Sequence, residues 1–328
     1  MADAVASTGE ARAMRPALAL ALLACAAVAA CAAFMTVGAR GDWSFILPFR
    51  GTKLAGLVLV AVAIGTATVV FQTITNNRIL TPSIMGFDAL YILLQTALVF
   101  SLGATQTTAL DARTMFLAET AMLLVFGGLL YHWLFGATAR SLHLLLLVGI
   151  VFGVFFRAIS GLLQRIMDPG EFLVLQDRMF ASFNTVNHEL LLLAALIVGA
   201  VCLGFWRLHQ VFDVLALGRE AAIGLGVAHA RMVALALVLV TVLVAVSTAL
   251  VGPISFFGLL VANLAYLLFP TARHAVLLPA SALIGVIALV GGQTVLERVL
   301  SYDTALSVVI EFIGGIAFIL LVVRGGAR

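Results

Sequence analysis

The chain has 328 residues, of which 63% are hydrophobic and only 10% are charged, with a net charge of +3 and a mean hydropathy of +1.20. Soluble domains carry about 25% charged residues, so a water-soluble fold cannot enclose this much apolar surface. The small positive charge is typical of the Arg and Lys residues of membrane-protein loops and does not indicate nucleic-acid binding. The composition therefore predicts a protein embedded in lipid, with no length left for a large soluble domain.

Ten apolar runs, separated by polar or Gly/Pro breaks, follow one another along the chain. A bilayer core needs roughly 20 apolar residues per helix, and backbone groups in lipid must be hydrogen-bonded internally. The predicted spans are 16–37, 53–73, 86–104, 114–135, 143–164, 188–206, 231–250, 255–269, 275–295 and 305–323. We therefore predict an all-α, polytopic membrane protein of about ten transmembrane helices, with an N-terminal tail at 1–15 and a single transmembrane domain at 16–328.

Two segments between the spans carry more pattern than a plain turn. Residues 167–187 include a mixed stretch that predicts a short interfacial helix. Residues 214–227 form a mixed apolar and charged stretch with three glycines, which permit sharp helix ends. We interpret this second segment as two short helical pieces lying across the membrane face, where apolar anchors can enter a groove on a partner. A solvated loop that only joins two spans is the alternative.

Three motifs in chain order carry a resemblance to a known family. They are residues 77–86 (NRILTPSIMG), residues 217–227 (LGREAAIGLGV) and residues 252–261 (GPISFFGLLV). Together they resemble the iron-siderophore and cobalamin permease family, the membrane subunits of type II ABC importers. The resemblance runs from about residue 40 to the C-terminus and implies the type II ABC importer permease fold.

The sequence departs from that family pattern at two places. Asn77-Arg78 stands where the family has Asn-Pro, and Ala262-Asn263 stands where it has Pro-His. Both changes resemble the second permease of catecholate or petrobactin-type siderophore systems. That subgroup commonly pairs with a different permease, so the resemblance implies a heterodimer rather than a homodimer.

The resemblance also implies a function and a set of partners. The expected function is that of a transmembrane permease subunit, which moves ferric-siderophore complexes into the cytoplasm by alternating access. The expected partners are a second permease, two ATPase subunits, an extracytoplasmic substrate-binding protein and membrane lipid. The chain lacks a Gly-x-x-x-x-Gly-Lys-Ser/Thr motif, so ATP and Mg are expected on the partner ATPase, with no cofactor, metal or catalytic residue in this chain. We expect the bacterial inner membrane, with both termini in the cytoplasm.

The family's contact with the ATPase falls on a segment at about 213–228. The residues that the resemblance assigns to this contact are Leu217, Gly218, Arg219, Glu220, Ala221, Ala222, Gly224, Leu225, Gly226 and Val227. The resemblance places a cytoplasmic gate at Asn77 and Ile79, between the second and third spans. A helix-capping loop is the other interpretation of these two residues, and both can hold together.

Cations at the outer ends of two spans match the family's docking surface for the binding protein. Arg50 and Lys53 lie at the entry to the second span, and Arg298 follows the ninth. Ordinary interfacial cations, whose apolar stems lie along the membrane boundary, are the alternative.

Charges inside the spans are costly and require a reason, which makes Glu119, Arg157 and Glu311 candidates for an outward-facing vestibule. Structural ion pairs between helices, with Arg157 paired to Glu119 or Glu311, are the competing interpretation. The six histidines lie mostly near span ends and form no His-Glu-x-x-His motif, so we expect ordinary interfacial residues.

Two other function classes compete with the importer. An ion-coupled secondary transporter is expected to show inverted repeats or midplane ionisable residues. An intramembrane enzyme requires a nucleophile and a base at the same depth, and Ser247, Ser255 and Ser281 have no histidine at comparable depth. The sequence alone does not identify the siderophore.

Overall fold

The computed structural model describes residues 16–39, 42–135, 142–184, 186–299 and 306–325. Every regular element in these ranges is helical. The helices are α1 Pro16–Thr36, α2 Trp43–Thr75, a 3-10 turn Pro82–Met85, α3 Phe87–Leu102, α4 Ala104–Ala109, α5 Ala112–Phe135, α6 Leu142–Ile166, α7 Pro169–Met179, α8 His188–Arg207, α9 His209–Leu215, α10 Arg219–Gly224, α11 His229–Val251, α12 Phe257–Leu268, α13 His274–Val299 and α14 Leu306–Gly325. The predicted tail at residues 1–15 lies outside the described residues.

Each of the ten predicted spans coincides with a helix, which confirms the all-α, polytopic fold. Seven of the helices are long and apolar enough to cross a bilayer by themselves, namely α1, α2, α5, α6, α8, α11 and α13. Shorter apolar helices form α3, α12 and the described part of α14. The chain reaches α12 through the buried, non-helical residues Gly252, Pro253 and Ile254. Such backbone is tolerated at membrane depth where protein surrounds it.

Helix α2 is longer than its predicted span at 53–73, because it begins at Trp43. Asp42 caps this early start, and its side chain accepts a hydrogen bond from the backbone N–H of Ser44 at 3.0 Å. The prediction begins late because Pro48 and the polar residues around it interrupt the hydropathy signal. Hydropathy reports the part of a helix that lies in lipid, and this helix continues beyond that part.

Helix α2 also lies at the centre of the bundle, in contact with α1, α8, α11, α12 and α13. Small residues bring its backbone close to that of α13. A Cβ on Gly65 would lie 3.0 Å from the carbonyl oxygen of Ser281, and a Cβ on Gly285 would lie 3.0 Å from that of Ala61. Lipid tails are as apolar as leucine, so close packing of this kind is what holds membrane helices together.

A second close approach joins α6 to the 3-10 turn that precedes α3. A Cβ on Gly149 would lie 2.9 Å from the Cα of Met85, and a Cβ on Gly86 would lie 3.0 Å from the carbonyl oxygen of Gly149. Gly86 has φ +92°, a conformation that favours glycine. Gly86, the glycine that ends the 77–86 motif, therefore serves close packing inside the subunit.

The short helix predicted within 167–187 is present as α7, Pro169–Met179. Asp168 caps it by accepting from the N–H of Gly170 at 2.8 Å, and Pro169 occupies the first helical position, where a missing N–H costs nothing. Leu175 is fully buried, which fixes α7 against the bundle.

Candidate functional site

The predicted gate residues lie in the loop that ends α2. Asn76 ends the helix in the left-handed conformation, with φ 48°. The side chain of Asn77 then accepts from the N–H of Ile79 at 2.9 Å, which closes a tight turn. The side chain of Ile79 is 52% exposed. The loop therefore has the capping geometry of the structural interpretation, and it also leaves an apolar side chain free to meet a second surface.

Side chains from two helices hold this loop in place. Gln72 of α2 donates to the carbonyl oxygen of Arg78 at 2.8 Å, and Asn263 of α12 donates to the same oxygen at 3.4 Å. The Arg78 guanidinium lies over the ring of Tyr266, 4.5 Å from its centroid. Arg78 and Asn263, the two departures from the family pattern, are therefore in direct contact.

Of the two short helices predicted within 214–227, α10 lies inside that segment, whereas α9 begins earlier, at His209, and only its last residues, Val214 and Leu215, enter it. Gly218 and Gly226 adopt φ +96° and +84° at the two ends of α10, so two of the three glycines act as the sequence predicts. Leu217 and Leu225 are 62% and 63% exposed, and Ile223, which the predicted contact set omits, is 53% exposed.

The remaining predicted contact residues divide by exposure. Arg219, Glu220, Ala221, Gly224 and Gly226 are exposed, and Gly218 and Val227 are half-buried. Ala222 is fully buried and faces the bundle, so it is not available to a partner. Its small side chain instead lets α10 pack closely on the permease.

A set of polar contacts around His274 connects α9 to the C-terminal end of α2, which precedes the predicted gate residues. His274, the first residue of α13, is 1% exposed. Its backbone N–H donates to Oδ1 of Asp213 in α9 at 2.6 Å, and its ring Nδ1 lies 2.7 Å from the same oxygen. Its Nε2 lies 2.7 Å from Oγ1 of Thr73 in α2. The expectation of an ordinary interfacial histidine is therefore wrong for His274, because the residue is buried and both ring nitrogens lie within hydrogen-bond distance of polar side chains.

At the opposite end of α2, the structure places Lys53 inside the protein rather than on the surface. Its Nζ lies 2.6 Å from Oε1 of Glu297 in α13, and both side chains are 6% exposed. Gln293 also donates to Glu297 Oε1, at 3.1 Å. In this structure, the Lys53 ammonium is not presented to a docking protein, because a buried carboxylate neutralises it.

The other two predicted docking cations converge on the C-terminus of α1. Arg50 donates to the carbonyl oxygens of Phe34 and Val37 at 2.9 and 3.0 Å, and Arg298 donates to that of Val37 at 2.5 Å. Carbonyls at a helix C-terminus lack intrahelical partners and carry partial negative charge, so two guanidinium groups are favourable there. Arg50 is half-buried and Arg298 is exposed, so Arg298 is the most accessible of the three cations.

The three vestibule candidates do not form one cluster. Glu119 is buried and accepts from Gln95 Nε2 at 2.5 Å, and Arg178 in turn donates to Gln95 Oε1 at 3.3 Å. Among the described residues, Arg157 forms no ion pair with Glu119 or Glu311. The interpretation of structural ion pairs involving Arg157 is therefore not supported.

Arg157 and Glu311 instead lie near a carboxylate that the sequence prediction misses. Asp88, at the start of α3, is buried and accepts from Ser255 Oγ at 2.7 Å. Both Arg157 and Glu311 are close enough to Asp88 to act on its charge. Ser255 belongs to the 252–261 motif. A hydroxyl side chain in this glycine- and proline-containing break between two spans is the sequence feature that could have indicated a buried polar contact.

Within the described ranges, seven helices that are long and apolar enough to cross a bilayer, together with three shorter apolar helices, define a multi-pass membrane protein. The profile of the FecCD transport family matches residues 17–324. The chain belongs to this family.

Individual relatives agree with that assignment. The petrobactin import system permease protein YclO of Bacillus subtilis (strain 168) is 46% identical over 284 residues, covering 87% of this chain and 90% of the relative. The petrobactin import system permease protein FatC of Bacillus anthracis is 34% identical over 275 residues, covering 84% of this chain and 78% of the relative. A solved structure described as an inward-facing, metal-chelate type ABC transporter superposes with a TM-score of 0.82 at 24% identity, covering 94% of this chain and 100% of that one, and supports the fold.

Proposed function

We propose that this chain is the transmembrane permease subunit of an ATP-driven importer that moves ferric-siderophore complexes into the cytoplasm by alternating access. The observation that carries the proposal is the likeness to two petrobactin import permeases, over 87% and 84% of this chain. A petrobactin-type ferric siderophore is therefore the first substrate to test. The match to the FecCD transport family favours the importer over the ion-coupled secondary transporter.

Two ATPase subunits supply the energy in this proposal, one of them docked on α9 and α10. The exposed side chains of Leu217, Ile223 and Leu225 support this contact, because apolar residues on a short surface helix are suited to a groove on a partner. Exposed Arg219 and Glu220 add charge that sets the orientation of docking. ATP and Mg then bind to the ATPase, and this chain binds neither.

The extracytoplasmic binding protein docks at the opposite end of α2 and α13. Arg298 is the direct contact in this proposal, because its guanidinium is exposed and can donate hydrogen bonds to a carboxylate of the binding protein. Arg50 braces the surface by binding the end of α1. Lys53 acts indirectly, since its pairing with Glu297 holds α2 against α13.

A second, different permease completes the translocation pathway. The faces of α6 and α14 that remain open carry large apolar side chains, namely Phe152, Phe155, Leu162, Phe312 and Ile313. Arg157 lies on the open side of α6, where contact with lipid would be costly. We therefore assign the vestibule to this side, with Arg157 facing an anionic ferric complex and with Asp88 and Glu311 behind it.

The proposed location is the inner membrane of a bacterial cell, with both termini in the cytoplasm. This orientation puts two regions on the cytoplasmic side together: the gate loop, which carries Asn77 and Ile79, and the coupling segment at about 213–228, which is proposed to contact the ATPase. The contact between Asp213 of α9 and His274 of α13 supports a shared side, because it joins the coupling segment to the end of the bundle that holds the gate.

The test is ATP-driven uptake of radiolabelled ferric petrobactin into proteoliposomes that contain both permeases, the ATPase and the binding protein. The decisive variant carries Glu220→Ala and Gly224→Trp. Glu220 is exposed, and a Cβ at Gly224 has no heavy atom within 4 Å, so the fold of the permease itself tolerates both changes. We expect uptake and stimulated ATP hydrolysis to be lost, whereas Arg207→Ala, an exposed change at the end of α8, retains both.

Two results would contradict the proposal. Uptake that persists without any ATPase subunit and follows an ion gradient would support the secondary transporter. Full activity of the Glu220→Ala, Gly224→Trp variant would remove α10 from the contact with the ATPase.

A further inference from the structure

The contact between the coupling segment and the gate is a specific set of hydrogen bonds. We propose that Asp213, His274 and Thr73 are positioning residues that transmit movement of α9 to the gate loop at the end of α2. The proposal rests on the proposed function, because it assumes that an ATPase moves α9 and α10. It adds a defined route through three side chains to which neither the sequence patterns nor the comparisons assign a role.

The first step of the route joins α9 to α13 at a helix end. The carboxylate of Asp213 accepts from the backbone N–H of His274 at 2.6 Å, and also lies 2.7 Å from ring Nδ1 of that residue. A carboxylate at the first residue of a helix satisfies a free N–H and is favoured by the helix dipole. Phe212, which is 1% exposed, packs its ring 5.7 Å from the imidazole. Movement of α9 therefore cannot leave the end of α13 in place without breaking these contacts.

The second step joins α13 to α2. Nε2 of His274 lies 2.7 Å from Oγ1 of Thr73, and the same hydroxyl oxygen lies 2.9 Å from the carbonyl oxygen of Val69. Both His274 and Thr73 are buried, at 1% and 7% exposure, so water cannot replace either partner. A buried polar group left without a partner is costly, which favours joint movement over separation.

The third step reaches the gate within one turn of helix. Gln72, the neighbour of Thr73, accepts from the N–H of Asn77 at 3.1 Å through its carbonyl and holds the carbonyl of Arg78 at 2.8 Å through its side chain. The loop that carries Ile79 is therefore fixed to the same turn of α2 that the imidazole contacts. A shift of that turn displaces the loop.

A second physical route exists, which makes the proposal testable. Residues 225–228 connect the end of α10 to the start of α11, so movement of α10 can also be transmitted through the backbone. The side-chain route depends on the hydroxyl of Thr73, and the backbone route does not.

The experiment uses the complete complex in proteoliposomes, with a cysteine reporter at Ile79 and with the three native cysteines replaced by alanine. It measures three quantities: ATP hydrolysis stimulated by the loaded binding protein, uptake per ATP, and the rate at which a charged thiol reagent labels the reporter with and without trapped ATP. Thr73→Val removes the hydroxyl at nearly constant volume. Thr75→Val is the matched control, because the Thr75 hydroxyl donates to the carbonyl of Phe71 in its own helix.

We expect Thr73→Val to hydrolyse ATP while its uptake per ATP, and its difference in labelling rate between the two states, fall about fivefold, the effect of losing one buried hydrogen bond. Asp213→Ala is expected to give the same pattern. Thr75→Val keeps the labelling difference of the unmodified complex, and Thr73→Ser, which restores the hydroxyl, recovers it.

Unchanged uptake per ATP and unchanged labelling in Thr73→Val would overturn the route and leave the α10–α11 backbone as the connection. Failure of Thr73→Ser to recover the labelling difference would also overturn it, because the effect of valine would then come from packing. A complex with wild-type Thr73 that shows no ATP-dependent uptake would instead refute the proposed function, so the two failures are distinguishable.

Discussion

Replacing Lys53 by methionine tests whether the buried charge pair holds the outer ends of α2 and α13 together. Met keeps most of the apolar stem and removes the ammonium, so the 6% exposed carboxylate of Glu297 loses the charge with which it pairs. Removing one partner of a buried ion pair costs about 3–5 kcal/mol. Replacing both partners, in Lys53→Met with Glu297→Met, is expected to recover most of that loss.

The assay is denaturant titration of the purified permease in mixed micelles, together with the affinity of the reconstituted complex for the binding protein. Arg113→Met is the control, because Arg113 pairs with Glu189 at 2.5 Å while both side chains are more than half exposed, at 60% and 55%. Exposed pairs contribute about 0–1 kcal/mol. A loss of this small size in Lys53→Met would refute the argument. Stability recovered in the double variant without recovery of binding-protein affinity would instead assign Lys53 to direct docking.

Two further predictions concern α6. Gly149→Ala is expected to destabilise the purified chain by about 1–3 kcal/mol, because the new Cβ meets the backbone of the 3-10 turn at 2.9 Å, whereas Gly161→Ala, with no heavy atom within 4 Å, is expected to be neutral in the same micelle titration. Arg157→Ala is expected to lower uptake of an anionic ferric siderophore about tenfold without loss of ATP hydrolysis. Arg157→Lys is expected to show intermediate uptake, and Arg165→Ala is expected to show normal uptake. Equal uptake by all three variants would show that Arg157 does not line the vestibule.

The positions of the spans could be predicted because hydropathy and the length of a helix in lipid are local properties. Helix α11, for example, is apolar along most of its length, and its observed bounds of His229–Val251 lie close to the predicted 231–250. The start of α2 could not be predicted in this way. Its first turn begins at a cap, Asp42, which a hydropathy profile does not detect.

The glycines of the coupling segment were predictable for the same reason, since a positive φ at Gly218 and Gly226 is a local requirement. The polar partners were not. His274 meets Asp213 across 61 positions of sequence and Thr73 across 201, and Lys53 meets Glu297 across 244. No spacing rule connects residues so far apart, because their contact depends on how the helices pack.

The length of α2 has a consequence for how the two faces of the membrane communicate. Its 33 residues span about 50 Å, more than the hydrocarbon core, so one helix carries Lys53 toward one end of the bundle and Thr73 toward the other. If the state of the ATPase changes the affinity for the binding protein by some factor, thermodynamic reciprocity requires that docking change the affinity for the corresponding nucleotide state by the same factor. A single continuous helix that reaches both sites gives this linkage a physical basis.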